Sequence, residues 1–529
     1  MGDLAMESAR ALIAGLLRPG AYPHPVTEPI RVAETHISWV LLTGEYAYKI
    51  KKPVRLSFLD YSTLARRRRL CAEELRLNRR LAPDLYLGVS LIGGTPAAPR
   101  IDAGGTPLEY AVRMRQFSPA DELAALLAAG TVTPRDVAAL GEGIARFHAA
   151  AAPAAAESEF GRPETAHRVT MDNFAELRAL PEAAPWHERL VALERRITTL
   201  HDELRTLMGE RRAQGWVREC HGDLHCGNVV RWAGTLTPFD GIEFDPALRF
   251  IDVVNDIAFL TMDLAERGHA ELRRAVLQAW AESLGDWQGL PLLLYYEAYR
   301  ALVRAKVDAL RALQLEPQAP ARAAAVADCV RYLEWATARV GARRPALLVT
   351  CGLSGAGKTW LARQLGTRIN ALHLRSDVER KRLAGLAAHE ESRSPRDAGI
   401  YTLEFNERTY HRLHDCATAA LAGGEPTIVD AAFLRGDERQ RFRALAQRQD
   451  LPFAIVHCRA PDAVLRVRVA ARTAARDDAS EAGLDVLARQ HGYWEPFASG
   501  ELPHVVEVDT SDPAAVAAAI EALAALAGP

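Results

Sequence analysis

Gly352-Leu353-Ser354-Gly355-Ala356-Gly357-Lys358-Thr359 comes after an apolar run at 346–351 and opens a helical pattern at 360–366. Glycines at this spacing let backbone amides wrap a polyphosphate. The helix N-terminus meets its negative charge, the Lys358 ammonium reaches the outer phosphates and the Thr359 hydroxyl takes Mg²⁺. Gly352, Ser354, Gly355, Ala356, Gly357, Lys358 and Thr359 are therefore the expected nucleotide contacts. Residues downstream of the loop separate a small kinase from a motor. The next strand ends at Leu374-Arg375 and runs into Ser376-Asp377, which puts Asp377 at a helix start beside the γ-phosphate, where a hydroxyl acceptor needs a base. Thr427-Ile428-Val429-Asp430 is an apolar strand ending in an acid suited to the Mg²⁺ site. Arg468, Arg472 and Arg476 recur four apart on one helical face, with Arg472 expected on the nucleotide. Arg435 and Arg439 read as surface residues and Trp494 as core.

A second constellation is His221-Gly222-Asp223-Leu224-His225-Cys226-Gly227-Asn228, with a carboxylate and a carboxamide five residues apart in a loop. Phosphoryl transfer to a hydroxyl needs a base and oxygen ligands for Mg²⁺. Asp223 suits the base and Asn228 a metal ligand. Asp240, at the end of Thr237-Pro238-Phe239-Asp240, suits the second metal contact. The string HGDLHCGN, with FDGIEFDP and DVVNDIAFL after it, resembles the aminoglycoside phosphotransferase branch of the protein-kinase-like fold. That resemblance, over roughly residues 30–310, implies that Lys49 is the phosphate-binding lysine of a third strand, with Glu74 or its neighbour Glu73 as ion-pair partner. It also implies ATP or GTP with Mg²⁺. The sequence departs from the pattern in one place, since no G-x-G-x-x-G lies between Ile30 and Lys49. His148 reads as a helix-end histidine bonding a backbone group, and Asp256 as an acid that bonds loop amides. Glu243 and Asp245 receive no role.

Residues 345–510 are similar to the zeta-toxin, gluconate kinase and polynucleotide 5′-kinase group of P-loop kinases, in which arginines close over the transferred phosphate. The whole chain resembles bacterial proteins described as bifunctional aminoglycoside phosphotransferase and ATP-binding protein.

Periodicity gives the elements that must carry these residues. Alternation over 32–55 with a turn at Thr43-Gly44-Glu45 predicts paired strands. Apolar residues at three- and four-residue spacing over 62–81, closed by Pro83, predict a helix. A strand pair is expected around 93–107 and a strand at 108–117, with helices dominating from 118 and a surface connection at 149–159. The breaker-rich Gly341-Ala342-Arg343-Arg344-Pro345 marks a boundary. Beyond it, strands at 346–351, 427–429, 453–457 and 505–508 alternate with helices, the pattern of a parallel sheet. The expected fold is α/β and α+β multidomain. Residues 1–342 form a two-lobed kinase-like domain (small lobe about 25–117, large lobe about 118–342), and 343–529 a P-loop domain.

At 529 residues the chain exceeds what one core serves, and 49% hydrophobic with 25% charged residues describes a folded globular protein rather than a disordered one. Sixty-five basic against 67 acidic residues leave a net charge of -2, which argues against a nucleic-acid partner. Seven scattered cysteines without a C-x-x-C pair argue against a disulfide framework or a zinc site. No signal peptide or membrane span is expected, which points to the cytoplasm. The function expected is transfer of phosphate from ATP or GTP to small-molecule hydroxyls such as those of a sugar, nucleoside, aminoglycoside-like compound or related metabolite. The alternatives are a nucleotide-binding module that regulates the other domain, and a 5′-hydroxyl nucleic-acid kinase at the C-terminus.

Overall fold

Alternation decides the first sheet. Strands β1 (Arg31–Glu34), β2 (Ser38–Leu42), β3 (Tyr46–Lys51), β6 (Tyr86–Thr95), β7 (Ala98–Ile101) and β8 (Glu109–Arg115) make an antiparallel sheet in the order β1-β2-β3-β8-β6-β7, and β4 (Arg55–Leu56) with β5 (Leu59–Asp60) adds a short ribbon. Side chains two apart share a face. Tyr48 and Ile50 of β3 join Trp39, Leu41 and Ile92 in a core closed by Leu12, Ile13 and Leu16 of helix α1 (Gly2–Leu16). The opposite face carries Ala47, Val112 and Met114 against Cys71 of α2 (Leu64–Asn78). Thr63 caps α2 by accepting from the Arg66 amide.

The computed structural model describes residues 2–56, 59–178, 186–341, 343–388, 390–392, 399–475 and 479–527. The chain divides into two compact units, Met1–Ala179 with Arg205–Arg267, and Leu180–Leu204 with Gly268–Pro529. In the first unit the sheet is succeeded by helices α3 (Leu123–Ala128), α4 (Pro134–Ala150) and α5 (Pro163–Arg178), and by the part of α6 (His187–Ala213) from Arg205 on. The pair β9 (Val217–Glu219) and β12 (Phe250–Asp252) and the ribbon β10 (Val229–Trp232) and β11 (Thr235–Pro238) frame its loops. Helices α7 (Pro246–Arg249) and α8 (Val253–Glu266) complete it. An antiparallel sheet with a helix on each face, then a helical part holding the motif loop, is the kinase-like arrangement expected from the sequence.

The second unit contains a five-stranded, all-parallel sheet: β13 (Leu347–Cys351), β14 (Leu372–Arg375), β15 (Thr427–Asp430), β16 (Phe453–Arg459) and β17 (Val505–Asp509), in the order β14-β15-β13-β16-β17. Its central strands β13, β15 and β16 are apolar because both faces are covered. Leu348, Ile428 and Val456 pack with Leu361 and Leu365 of α12 (Lys358–Arg368), Val469 of α16 (Asp462–Ala475) and Leu523 of α18 (Pro513–Ala527). Helices α13 (Ser376–Leu383), α14 (Leu403–Ala422), α15 (Gly436–Arg448) and α17 (Leu484–Tyr493) are the remaining crossovers.

Helices α9 (Ala270–Leu284), α10 (Leu293–Leu313) and α11 (Pro320–Arg339) belong to this same unit, so the breaker segment around Pro345 lies inside it. The physical reason is a buried four-charge cluster. Arg273 of α9 and Arg339 of α11 each reach Glu425, just before β15, at 2.7 Å, and both also pair with Glu297 of α10. Burial raises the Glu425 carboxyl, but the two guanidiniums hold it down at about 2. Among the described residues, no helix is long and apolar enough to cross a membrane.

Candidate active site

Period-two alternation puts Lys49 and Lys51 on the sheet face that meets α2, and Glu74 lies on the buried face of that helix with Leu70, Cys71 and Leu77. Lys49 Nζ is 2.9 Å from Glu74 Oε1 and also pairs with Asp240. Burial opposes the charge, yet Asp240 and Glu74 keep the Lys49 ammonium well above the ordinary lysine range. Glu73 points elsewhere, to Arg76 at 2.7 Å and Arg249 at 2.8 Å. The ion-pair partner is therefore Glu74.

The motif loop is pinned from beneath. Asp256 of α8 accepts from the His221 amide at 3.1 Å and the Gly222 amide at 2.8 Å, the loop-amide role expected of it. Seven residues on, two turns along the same helix face, Asp263 accepts from the Cys226 amide at 2.9 Å. Sequence reading passed over Asp263, although a second acid two turns after Asp256 in so apolar a helix was the available signal. His148 Nε2 meets the Asp256 carboxylate at 3.0 Å, a partner the sequence reading did not name. His148, Cys220 and Asp256 form a fully buried trio, in which the carboxylate is already bonded to two amides and an imidazole. Gly222 has φ +87°, and a Cβ there would stand 2.7 Å from the Leu248 carbonyl, so only glycine fits. The buried His221 ring is pushed toward its neutral form. Its Nε2 lies 2.9 Å from the Phe239 carbonyl, and Nδ1 is 3.3 Å from the Asp223 amide.

On this support Asn228 Nδ2 donates to Asp223 Oδ2 at 2.9 Å. The β10–β11 register pairs Val229 with Pro238, so Asn228 and Asp240 leave the ribbon at the same end. The Asp240 amide is held by the Tyr86 hydroxyl at 3.0 Å and the next amide, of Gly241, by Asn78 at 2.8 Å. Asn228 and Asp240 can offer side-chain oxygens, the donors a hard cation such as Mg²⁺ takes.

Lys51 is a site neighbour that sequence reading missed. Its ammonium is 2.6 Å from Glu74 Oε2 and pairs with Glu243, which also accepts from Tyr61. Its side chain is 1% exposed against 13% for Lys49, so Lys49 is the more accessible lysine. Burial raises Glu74, but the two ammoniums hold it to about 2. Glu243 thus acquires a structural partner, while Asp245 caps α7 through the Ala247 amide. Replacing Lys51 by methionine removes the ammonium between two buried carboxylates, leaving Glu74 to Lys49 and Glu243 to the Tyr61 hydroxyl, and should lower stability by about 3–5 kcal/mol. Urea denaturation measures this; a loss under about 1 kcal/mol would mean the pair behaves as a surface one.

In the second unit the loop after β13 leads into α12, whose N-terminus begins at Lys358. Gly352 has φ +137°, and a Cβ there would lie 2.4 Å from the Cys458 carbonyl. Lys358 Nζ donates to the Gly352 and Leu353 carbonyls, both at 2.9 Å, and the Ser354 amide donates to Gln490 of α17 at 2.7 Å. Burial lowers the Lys358 ammonium, with Asp430 and Asp377 acting against it, which puts both carboxylates in its field. Asp377 stands in the first turn of α13. Asp430, at the end of β15, bonds His373 Nε2 at 3.0 Å and Thr350 Oγ1 at 3.2 Å. Burial raises its carboxyl, but His373, Thr359 and Lys358 hold it at about 2. Asp430 and Thr359 are thus neighbours, an oxygen pair suited to Mg²⁺ and its water shell.

The arginines divide. Arg468 bonds the Gly355 carbonyl at 3.3 Å and Thr510 at 2.8 Å, which ties α16 to the phosphate loop. Arg472 donates to the Ala482 carbonyl at 2.7 Å, and Arg476 lies outside the described residues. Arg439 is no surface residue: it is fully buried, bonded to Glu501 at 2.7 Å and to the carbonyls of Phe433 and Leu434. A guanidinium with this many acceptors can be buried where one carboxylate would not suffice. Trp494 is half-buried and stacks on His457 at 5.0 Å, outside the main core. Arg435 is exposed and stands just before α15 as its N-cap residue.

A family model described as AAA domain matches residues 347–497, from the first strand of the parallel sheet past α17. Among solved structures, a gluconokinase from Sinorhizobium meliloti is 20% identical, covering 35% of this chain and 96% of its own, with a TM-score of 0.26. A choline/ethanolamine kinase family protein from Mesorhizobium loti is 15% identical, covering 63% and 99%, with a TM-score of 0.33. The uncharacterized protein Rv2004c of Mycobacterium tuberculosis is 31% identical over 476 residues, 89% of this chain and 92% of its own. With that identity sustained through nearly the whole of both chains, the protein belongs to the family of Rv2004c.

Proposed function

We propose that the protein is a phosphotransferase with two nucleotide sites, each moving the terminal phosphate of ATP or GTP, with Mg²⁺, to a hydroxyl of a small molecule. The observation that carries this reading is that each unit joins a lysine, through a carboxylate beside it, to a second acid suited to a different job. In the first, Lys49 bonds Asp240 while Asp223 stands on Asn228. In the second, Lys358 lies in the field of Asp430 and Asp377. In each, one acid serves the metal and the other takes the proton of the acceptor hydroxyl. Its oxygen bonds to the γ-phosphorus as the bond to the bridging oxygen breaks, leaving the diphosphate. Lys49, Glu74 and Asn228 hold nucleotide and metal in the first site. The amides of residues 352–357 with Thr359 do so in the second, and Arg472 is assigned to the same nucleotide. Near-neutral net charge favours small acceptors over a nucleic acid.

The test is a screen of metabolite pools with γ-labelled ATP, using the full chain, Asp223→Asn and Lys358→Ala. A product made by the parent should vanish in one variant and persist in the other. Absence of any labelled small molecule, together with fast hydrolysis stimulated by a protein, would replace this reading by a regulatory one. Label on an oligonucleotide 5′ end would replace the small acceptor.

A further inference from the structure

The second unit has a base that none of its phosphate-binding motifs includes. α9 and the 3-10 turn Trp287–Leu292 behind it engage the edge strand β14 and helix α13 at two points. At the strand, the Gln278 side chain supplies what a neighbouring strand would: Oε1 accepts from the His373 amide at 2.8 Å and Nε2 donates to the His373 carbonyl at 3.0 Å. With its backbone held there, His373 directs Nε2 to Asp430 at 3.0 Å, the carboxylate at the end of β15.

At the helix, Trp287 Nε1 donates to Glu379 Oε1 at 3.0 Å, and Glu379 is 1% exposed. Arg412 bonds the other Glu379 oxygen at 3.0 Å and the Gly285 carbonyl at 2.9 Å, while Arg382 joins Glu379 to the Glu282 carbonyl. The end of α9 is thereby stitched to α13. Residues two apart on a helix point about 200° from one another. Turning Glu379 into this base therefore turns Asp377 to the opposite face, the one that Lys358 senses.

We infer that residues 270–292 are a fixed base for the P-loop site, with Gln278 and Trp287 as positioning residues: Gln278 acts through His373 on Asp430, and Trp287 acts through Glu379 on Asp377. The roles of Asp377 and Asp430 rest on the function proposed above, whereas the contacts do not. The P-loop enzyme of this chain accordingly begins at α9, and a cut near residue 343 removes its base.

The full chain carrying Asp223→Asn, which silences the first site, is compared with and without Trp287→Phe and Gln278→Leu. The readouts are Lys358-dependent Mg·ATP turnover and hydrogen exchange. Each variant should lower kcat roughly 10- to 100-fold with KM for ATP little changed, because geometry is lost rather than affinity. The Mg²⁺ concentration for half-maximal turnover should rise in Gln278→Leu and stay put in Trp287→Phe. Amides of 372–375 should exchange faster in the former, and those of 376–383 in the latter. If the starting protein shows no Lys358-dependent turnover, the phosphotransferase reading of this site fails, and the exchange pattern alone decides whether the base exists. Should Trp287→Phe not fold, Gln278→Leu, at a half-buried position, decides the question. Parental exchange in both segments overturns the inference, as does a lowered Tm with parental kcat.

Discussion

Replacing Asp223 by asparagine is expected to slow phosphoryl transfer at the first site by roughly 10²- to 10⁴-fold, the worth of a positioned base. Nucleotide affinity there should stay near parental. The two effects separate because different residues serve them. Asp223 is bonded by Asn228 at 2.9 Å, whereas the phosphate and metal would rest on the Lys49, Glu74 and Asp240 group. Asparagine keeps the shape and can still accept from Asn228, but it has no charge with which to take a proton. The loop should hold, since Asp256 and Asp263 bond the amides of His221, Gly222 and Cys226 independently of the Asp223 side chain. Single-turnover transfer and a nucleotide titration on the same preparation measure both quantities. Parental turnover would remove Asp223 from the mechanism, and equal loss of affinity and rate would make it a binding residue.

The other large effect is expected of Lys358→Ala, which should cut turnover at the second site on the order of 10²-fold or more by removing the cation aimed at the transferred phosphate. Thermal unfolding should stay close to parental. Lys358 donates to the Gly352 and Leu353 carbonyls, so its loss breaks no buried ion pair, in contrast to Lys51→Met. Calorimetric titration of Mg·ATP into the full chain should show two binding events for the parent and one for Lys358→Ala. Unchanged stoichiometry together with unchanged turnover would refute the assignment.

The sequence by itself determined what local rules control. Alternation over β2 and β3, the amphipathic period of α2, the parallel strands with their crossovers, and the glycine loop opening α12 were legible because each depends on residues close along the chain. So was the link between Asp256 and the loop amides, since an acid on the buried side of an apolar helix needs donors nearby. The tertiary structure alone decided which charges meet. Lys49 and Lys51 are equivalent by period, and only the packing of α2 and of residues 240–243 makes one the accessible partner of Asp240 and the other a buried brace. Arg439 looked like a surface residue because its acceptors, Glu501 and the Phe433 and Leu434 carbonyls, come from segments brought together only by folding. In the same way, the helices that the kinase-like reading assigned to residues 118–342 have their last three in the second unit, where Arg273 and Arg339 neutralise Glu425. A buried charge is tolerated only where an opposite one is present. Which opposite charge that is depends on contacts between residues 86 and 152 positions apart, and these carry no period or motif for a sequence to display.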